Sequence, residues 1–173
     1  MPMARREKLV TFFLAGLAVG TIDSIFIIVA YVVLGRATLL RLFQGIASSL
    51  LDKASFEGGL PTALLGLCIH YSVAHAWSGL YLIADDRLAW LRRRTESLPG
   101  MLATGALYGV VIFFSMRWLV LPLTHAGSAA WLSFNFNLQL AAHALLIGPP
   151  IAAIVRARRR RGAGSSTPPA PPA

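Results

Sequence analysis

Apolar residues concentrate along this chain in four stretches, and the charged residues fall almost entirely between them. Residues 9–34, 60–84, 101–121 and 131–155 are each long and apolar enough, at about 1.5 Å of rise per residue, to cross a hydrocarbon layer of about 30 Å. The first stretch carries one charge, Asp23. Gly16 and Gly20 in it form a small-residue step whose face continues to Asp23 and Ile27, which marks a surface for another helix. Pro61 suits a helix start for the second stretch, and Asp85, Asp86 and Arg87 end it. Gly105 and Gly109 give the third stretch a similar close-packing step, and Pro122 is expected to break it. Pro149 and Pro150 predict a kink in the last third of the fourth.

Residues 37–55 follow a different pattern. Leu39, Phe43, Ile46 and Leu50, reinforced by Leu42 and Leu51, recur at helical spacing, while Arg41, Gln44, Ser48 and Asp52 occupy the other side. The apolar part, Leu39–Leu51, is too short to span, so it predicts an amphipathic helix in the outer interface or folded back over the bundle. The expected fold class is therefore all-α: a polytopic membrane protein with four transmembrane helices plus one outer interfacial amphipathic helix, in a domain covering residues 1–155. Residues 156–173 are polybasic and then rich in Pro, Gly, Ser and Ala, a composition that cannot build a core and predicts a disordered tail.

Composition agrees with lipid as the solvent. The 173 residues are 56% hydrophobic and only 13% charged, about half the charged share of a soluble domain, with a mean hydropathy of +0.65. The net charge of +9 raises nucleic acid as a partner, but the sixteen Lys and Arg flank the apolar stretches instead of forming a binding stripe. Anionic lipid headgroups are the more economical partner, and Arg156, Arg158, Arg159, Arg160 and Arg161 are the candidate contacts. Twelve of the sixteen cations lie before the first stretch, between the second and third, or after the fourth, which predicts both termini in the cytoplasm. A cleavable signal peptide would have a shorter core and a small-residue cleavage site, so the first stretch is expected to be retained. The single cysteine, Cys68, excludes an intrachain disulfide and is expected to be a small packing residue.

The chemistry open to the chain lies in the polar residues within the apolar stretches. Depth counted along each helix puts Asp23, His70, Arg117, Gln139 and His143 in one outward-biased layer, about 15 to 24 Å from the helix ends. Asn135 lies two turns above His143, and His75, five residues on from His70, is turned about 140° from it onto a different face. Three uses compete. The residues can satisfy one another as interhelical bonds and an ion pair. They can line a proton or small-solute path, since an imidazole beside a carboxylate carries protons near neutral pH. His70 and His143 can also be read as axial ligands of a haem b from facing helices. No protein-ligated metal motif, nucleophile elbow, phosphate loop or Cys-x-x-Cys is present, so catalytic residues are not expected.

Several local strings occur in a familiar order: Gly66-Leu67-Cys68-Ile69-His70 in the second stretch, Leu98-Pro99-Gly100 before a Gly-Ala-Leu-Tyr-Gly third stretch, Val120-Leu121-Pro122-Leu123 at its end, and Ala142-His143 near Gly148-Pro149. With them the chain resembles small four-helix proteobacterial inner-membrane proteins of uncharacterised function and, more distantly, the YagU-like inner-membrane proteins. The resemblance covers about residues 9–155. It implies an inner-membrane location and a four-helix fold; envelope homeostasis or proton or small-solute passage by a non-enzymatic component is the expected role.

Overall fold

The computed structural model describes residues 3–125 and 136–164, and every element among them is helical. Helix α1, Arg5–Ile27, continues as a π-helical segment Ile28–Val33, so one rod of 29 residues replaces the first apolar stretch. Gly35 stops it by taking φ +70°, and the Tyr31 carbonyl oxygen accepts bonds from the N–H groups of Arg36 (2.8 Å) and Ala37 (2.9 Å). The hydroxyl of Thr38 then accepts from the Arg41 N–H and caps α2, Leu39–Leu51. A 3₁₀ segment, Asp52–Phe56, turns the chain into α3, Gly59–Arg87, and a short α4, Ala89–Arg94, follows.

Ser97 caps α5, Leu98–Ser115, by accepting from the Gly100 N–H. Helix α5 loosens into a π segment, Met116–Val120, and ends in a 3₁₀ turn, Leu121–Leu123, that carries Pro122. Beyond residue 135 the chain forms α6, Phe136–Ala142, a π segment His143–Ile147, and α7, Gly148–Gly164. The π segment sits where Pro149 and Pro150 lack the N–H groups that would bond the carbonyls of Leu145 and Leu146.

Among the described residues, three helices are long and apolar enough to cross a membrane: Arg5–Val33, Leu98–Leu123 and Phe136–Gly162. Helix α3 matches them in length, but His70, Tyr71, Ser72, His75 and Ser78 dilute its apolar character, and it is not one of the three. Large apolar side chains cover the outside, Phe13 being 60% and Trp118 66% exposed, as in a bundle whose solvent is hydrocarbon. Inside, Val19, Tyr81, Leu82, Met101, Ile112, Ile151 and Val155 form the main cluster between α1, α3, α5 and α7.

The helices meet where small residues let backbones touch. A Cβ at Gly109 would overlap the His143 carbonyl, and one at Gly148 the Gly105 carbonyl, so α5 and the α6–α7 rod are in backbone contact. A Cβ at Gly66 would likewise strike the Phe43 carbonyl, which brings α2 directly onto α3. That contact turns α2 away from the orientation its pattern predicts. Gln44 and Ser48, expected on the polar side, are buried, whereas Leu39 and Leu50 are half or more exposed. The Gln44 amide nitrogen is satisfied there, Nε2 donating to the Gly59 carbonyl (3.1 Å) and the Thr62 hydroxyl (3.3 Å), whereas its Oε1 is buried without a partner among the described residues. Cys68, expected to pack inside, is exposed.

The residues expected to begin a disordered tail are also placed differently. Helix α7 runs through Arg156, Arg158, Arg159, Arg160 and Arg161, and the guanidinium groups of the first four bind the protein. The Arg159 guanidinium donates to the carboxylate of Asp85 on α3, to the Thr95 hydroxyl (2.9 Å) and to the Arg92 carbonyl (3.3 Å). Arg158 pairs with Glu7 on α1 (2.6 Å), Arg156 and Arg160 each donate to the Glu96 carbonyl (2.8 Å), and Lys8 pairs with Asp86 (2.7 Å). The start of α1, the end of α3, the approach to α5 and the end of α7 thus share one end of the bundle. Acceptors within reach hold these arginines in a helix where composition alone predicts none. Residues 165–173, the rest of the expected tail, lie outside the described residues.

The Asp85 and Arg159 side chains are only 3% and 13% exposed, so removing one partner strands the other. Asp85→Ala is expected to cost about 3 kcal/mol of unfolding free energy in detergent, and Asp85→Ala with Arg159→Ala less than the sum of the two single losses. Additive losses would remove the pair from the account of the bundle's stability.

Candidate functional site

A cavity of about 360 Å³ lies between α1, α2, α3, α5 and the α6–α7 rod. Its wall is mostly apolar, with Phe26, Ile46, Val73, Trp77 and Phe113 among the side chains that face it. Asp23, His70, Arg117, Gln139 and His143 all line it as well. Each arrives by a different local route. Asp23 and Tyr31 stand two steps of four apart on one face of the α1 rod, and Gln139 and His143 one such step apart on the α6 rod. Arg117 enters from the π segment that ends α5, and its guanidinium lies 5.6 Å from the centre of the Phe136 ring.

Asp23 and His70 stand near each other in the cavity, with Asp23 Oδ2 3.9 Å from His70 Nδ1. The other ring nitrogen, Nε2, is 2.9 Å from the Gly20 carbonyl oxygen and 3.1 Å from Ser24 Oγ. A carbonyl oxygen can only accept, so Nε2 carries the proton and donates it. His143 has the opposite tautomer: its Nδ1 donates to the Gln139 carbonyl (2.8 Å), and its ring packs edge-on against Phe113. Gln139 in turn donates from Nε2 to the Tyr31 hydroxyl at 3.0 Å.

His75 lies apart from the cavity. Its Nδ1 donates to the Tyr71 carbonyl (2.7 Å), and its ring fills the notch at Gly16 beside Phe12 and Phe13. The Gly16 and Gly20 step therefore receives α3, with Tyr71 seated at Gly20. Asn135 lies outside the described residues. Ser24 and Tyr31 belong to the site although the composition of the stretch does not single them out. Tyr31 could have been found from the four-residue steps leading from Asp23, whereas Ser24 shows no such signal.

Among the described residues this is a helical protein with three helices long and apolar enough to cross a membrane, and Asp23, His70, Arg117, Gln139 and His143 share one largely apolar cavity. Against models of protein families, curated proteins and solved structures, the chain has no match. Among the described residues no group of three or more His, Cys, Asp or Glu side chains could hold a metal ion. The wall can present a carboxylate, a guanidinium, two imidazoles and an amide to a guest; Cys68, the one thiol, is exposed on α3 and does not line it.

The Asp23 and His70 contact has a measurable signature. In thermal unfolding in detergent, Asp23→Leu and His70→Leu are expected to be non-additive by about 0.6 kcal/mol, the usual size of an interhelical polar coupling in a membrane. Strict additivity would show that the two side chains do not interact.

Proposed function

We propose that the chain is a non-enzymatic, four-span protein of a bacterial inner membrane that admits a small solute or a proton to the cavity between its helices. The observation that carries this reading is the gathering of Asp23, His70, Arg117, Gln139 and His143 on one mostly apolar space. A charged side chain at a helix centre costs about 2.5 to 3.5 kcal/mol on insertion scales, so such residues concentrate where they line a path or bind something. A layer serving only to hold the helices would close on itself and leave no such space. Envelope homeostasis is the wider role that solute passage would serve.

Helix α3 is counted as the fourth span. Its 29 residues reach about 43 Å, and His70, Tyr71 and His75 turn toward α1 while Leu64, Leu80 and Ile83 face outward. The ion pairs at one end of the bundle support both termini and α4 lying in the cytoplasm, with α2 at the outer surface. Twelve Lys and Arg against four Asp and Glu at that end favour anionic headgroups, at about 1 kcal/mol for each cation near the surface. The resemblance to small four-helix inner-membrane proteins supports the choice of membrane.

A reporter fused after Ala173 tests the topology: green fluorescent protein is expected to fluoresce there and alkaline phosphatase to be inactive. Active phosphatase at that position would overturn it.

A second reading, a haem b electron carrier, draws on one observation: His70 and His143 line the same cavity, and Nε2 of His143 has no hydrogen-bond partner among the described residues. Against it, His70 would have to release the Gly20 carbonyl and Ser24, or turn Nδ1 from Asp23. The purified protein is expected to be colourless. A reduced Soret and α band would replace the solute reading with the haem one.

A further inference from the structure

The hydrogen bonds around His70 leave one proton position open. Nε2 already donates to the Gly20 carbonyl, so in the neutral ring Nδ1 is bare and lies 3.9 Å from Oδ2 of Asp23. Two acceptors face each other. A single proton added between them, on Nδ1 or on Oδ2, turns this contact into an attractive one and raises the charge of the pair from −1 to 0.

The charge of the whole cavity depends on that proton. Asp23 is the one carboxylate and Arg117 the one guanidinium lining it among the described residues. The remaining titratable groups that face the pair are Tyr31 on α1, Tyr71 on α3, whose ring packs edge-on against His70, and His143 on the α6–α7 rod. Helix α2 presents Gly45, Ile46, Ser49 and Leu50, none of which titrates. With Asp23 ionised and His70 neutral, the wall sums to zero; with the proton bound, it sums to +1. A low-dielectric space penalises net charge, so an anionic guest is accommodated when the proton arrives with it.

Resting on the solute reading above, we propose that the cavity takes an organic anion with an apolar body together with one proton. The anion faces Arg117, the apolar body lies along Phe26, Ile46 and Val73, and the proton sits between Asp23 and His70. A cation would be repelled by Arg117 and would compete with the proton for Asp23. The step forms no covalent bond to the guest: one proton and one anion enter, and the total charge of the filled cavity is again zero.

Octanoate, octylammonium and octanol are suitable probes for the full-length protein in maltoside micelles, with protein-free micelles as the blank. Isothermal titration calorimetry in two buffers of different ionisation enthalpy counts the protons. Octanoate is expected to bind with about one proton taken up, and its affinity to rise by up to about tenfold for each unit fall in pH. In Asp23→Asn it is expected to bind without proton uptake and without that pH dependence; Arg117→Leu is expected to weaken it about tenfold or more. Octanoate binding to the wild type without proton uptake would overturn the proposal, whatever the variants do. Binding of octylammonium or octanol in preference to octanoate would overturn it too, while leaving a solute site in place. Failure of all three probes would overturn the solute reading with it.

Discussion

With large apolar side chains left on its outside, this bundle depends on how closely its backbones approach. The approach is closest where a side chain would be in the way. Gly109 and Gly148 put α5 against the α6–α7 rod, and Gly66 puts α3 under the Phe43 carbonyl of α2. Helix α1 follows the same rule with a buried stripe that includes Ala15, Gly16, Gly20 and Ser24, small residues that leave room for the rings of Tyr71 and His75. Dispersion contacts and short polar bonds then act over surfaces that bulky side chains would hold apart.

The two ends of the bundle are built differently, and the cavity follows from the difference. At one end, α1, α3 and α7 and the approach to α5 are tied by ion pairs centred on Arg159 and Asp85, above a packed cluster containing Tyr81, Ile151 and Val155. Toward the other, π segments interrupt α1, α5 and the α6–α7 rod. A π turn re-aims the side chains that follow it and leaves carbonyls poorly matched, and such turns gather at functional sites. Tyr31, Arg117 and His143 all stand in these segments and all face the cavity. A firm end and a loosened end suit a protein proposed to receive a guest from one side.

Much of the architecture was legible in the residue pattern because burial in lipid writes itself into composition. Long apolar stretches, the glycine steps and the segregation of cations each follow from one local rule, and the helices at Arg5–Val33, Leu39–Leu51 and Leu98–Leu123 can be read without knowing what they touch. Asp23, His70, Arg117, Gln139 and His143, grouped by counting residues along helices, line one cavity. Helical rotation, which turns His75 about 140° from His70, sets it apart from that group.

Three features were decided only by tertiary contact. Helix α2 rolled its Gln44 and Ser48 face inward because Gly66 offers a backbone to approach and Gly59 and Thr62 offer acceptors, an outcome that amphipathic spacing opposes. The basic run from Arg156 is helix because Glu7, Asp85 and Glu96, far away in sequence, supply partners for Arg156, Arg158, Arg159 and Arg160. The contact of His70 with Asp23 on one side and Gly20 on the other needs α1 and α3 in one register, which no stretch of either helix specifies alone. The sequence by itself determined what could lie in a membrane, since that depends on each segment's transfer from water to hydrocarbon. Which polar groups meet depends on the relative rotation and register of separate helices, and only their packing sets those.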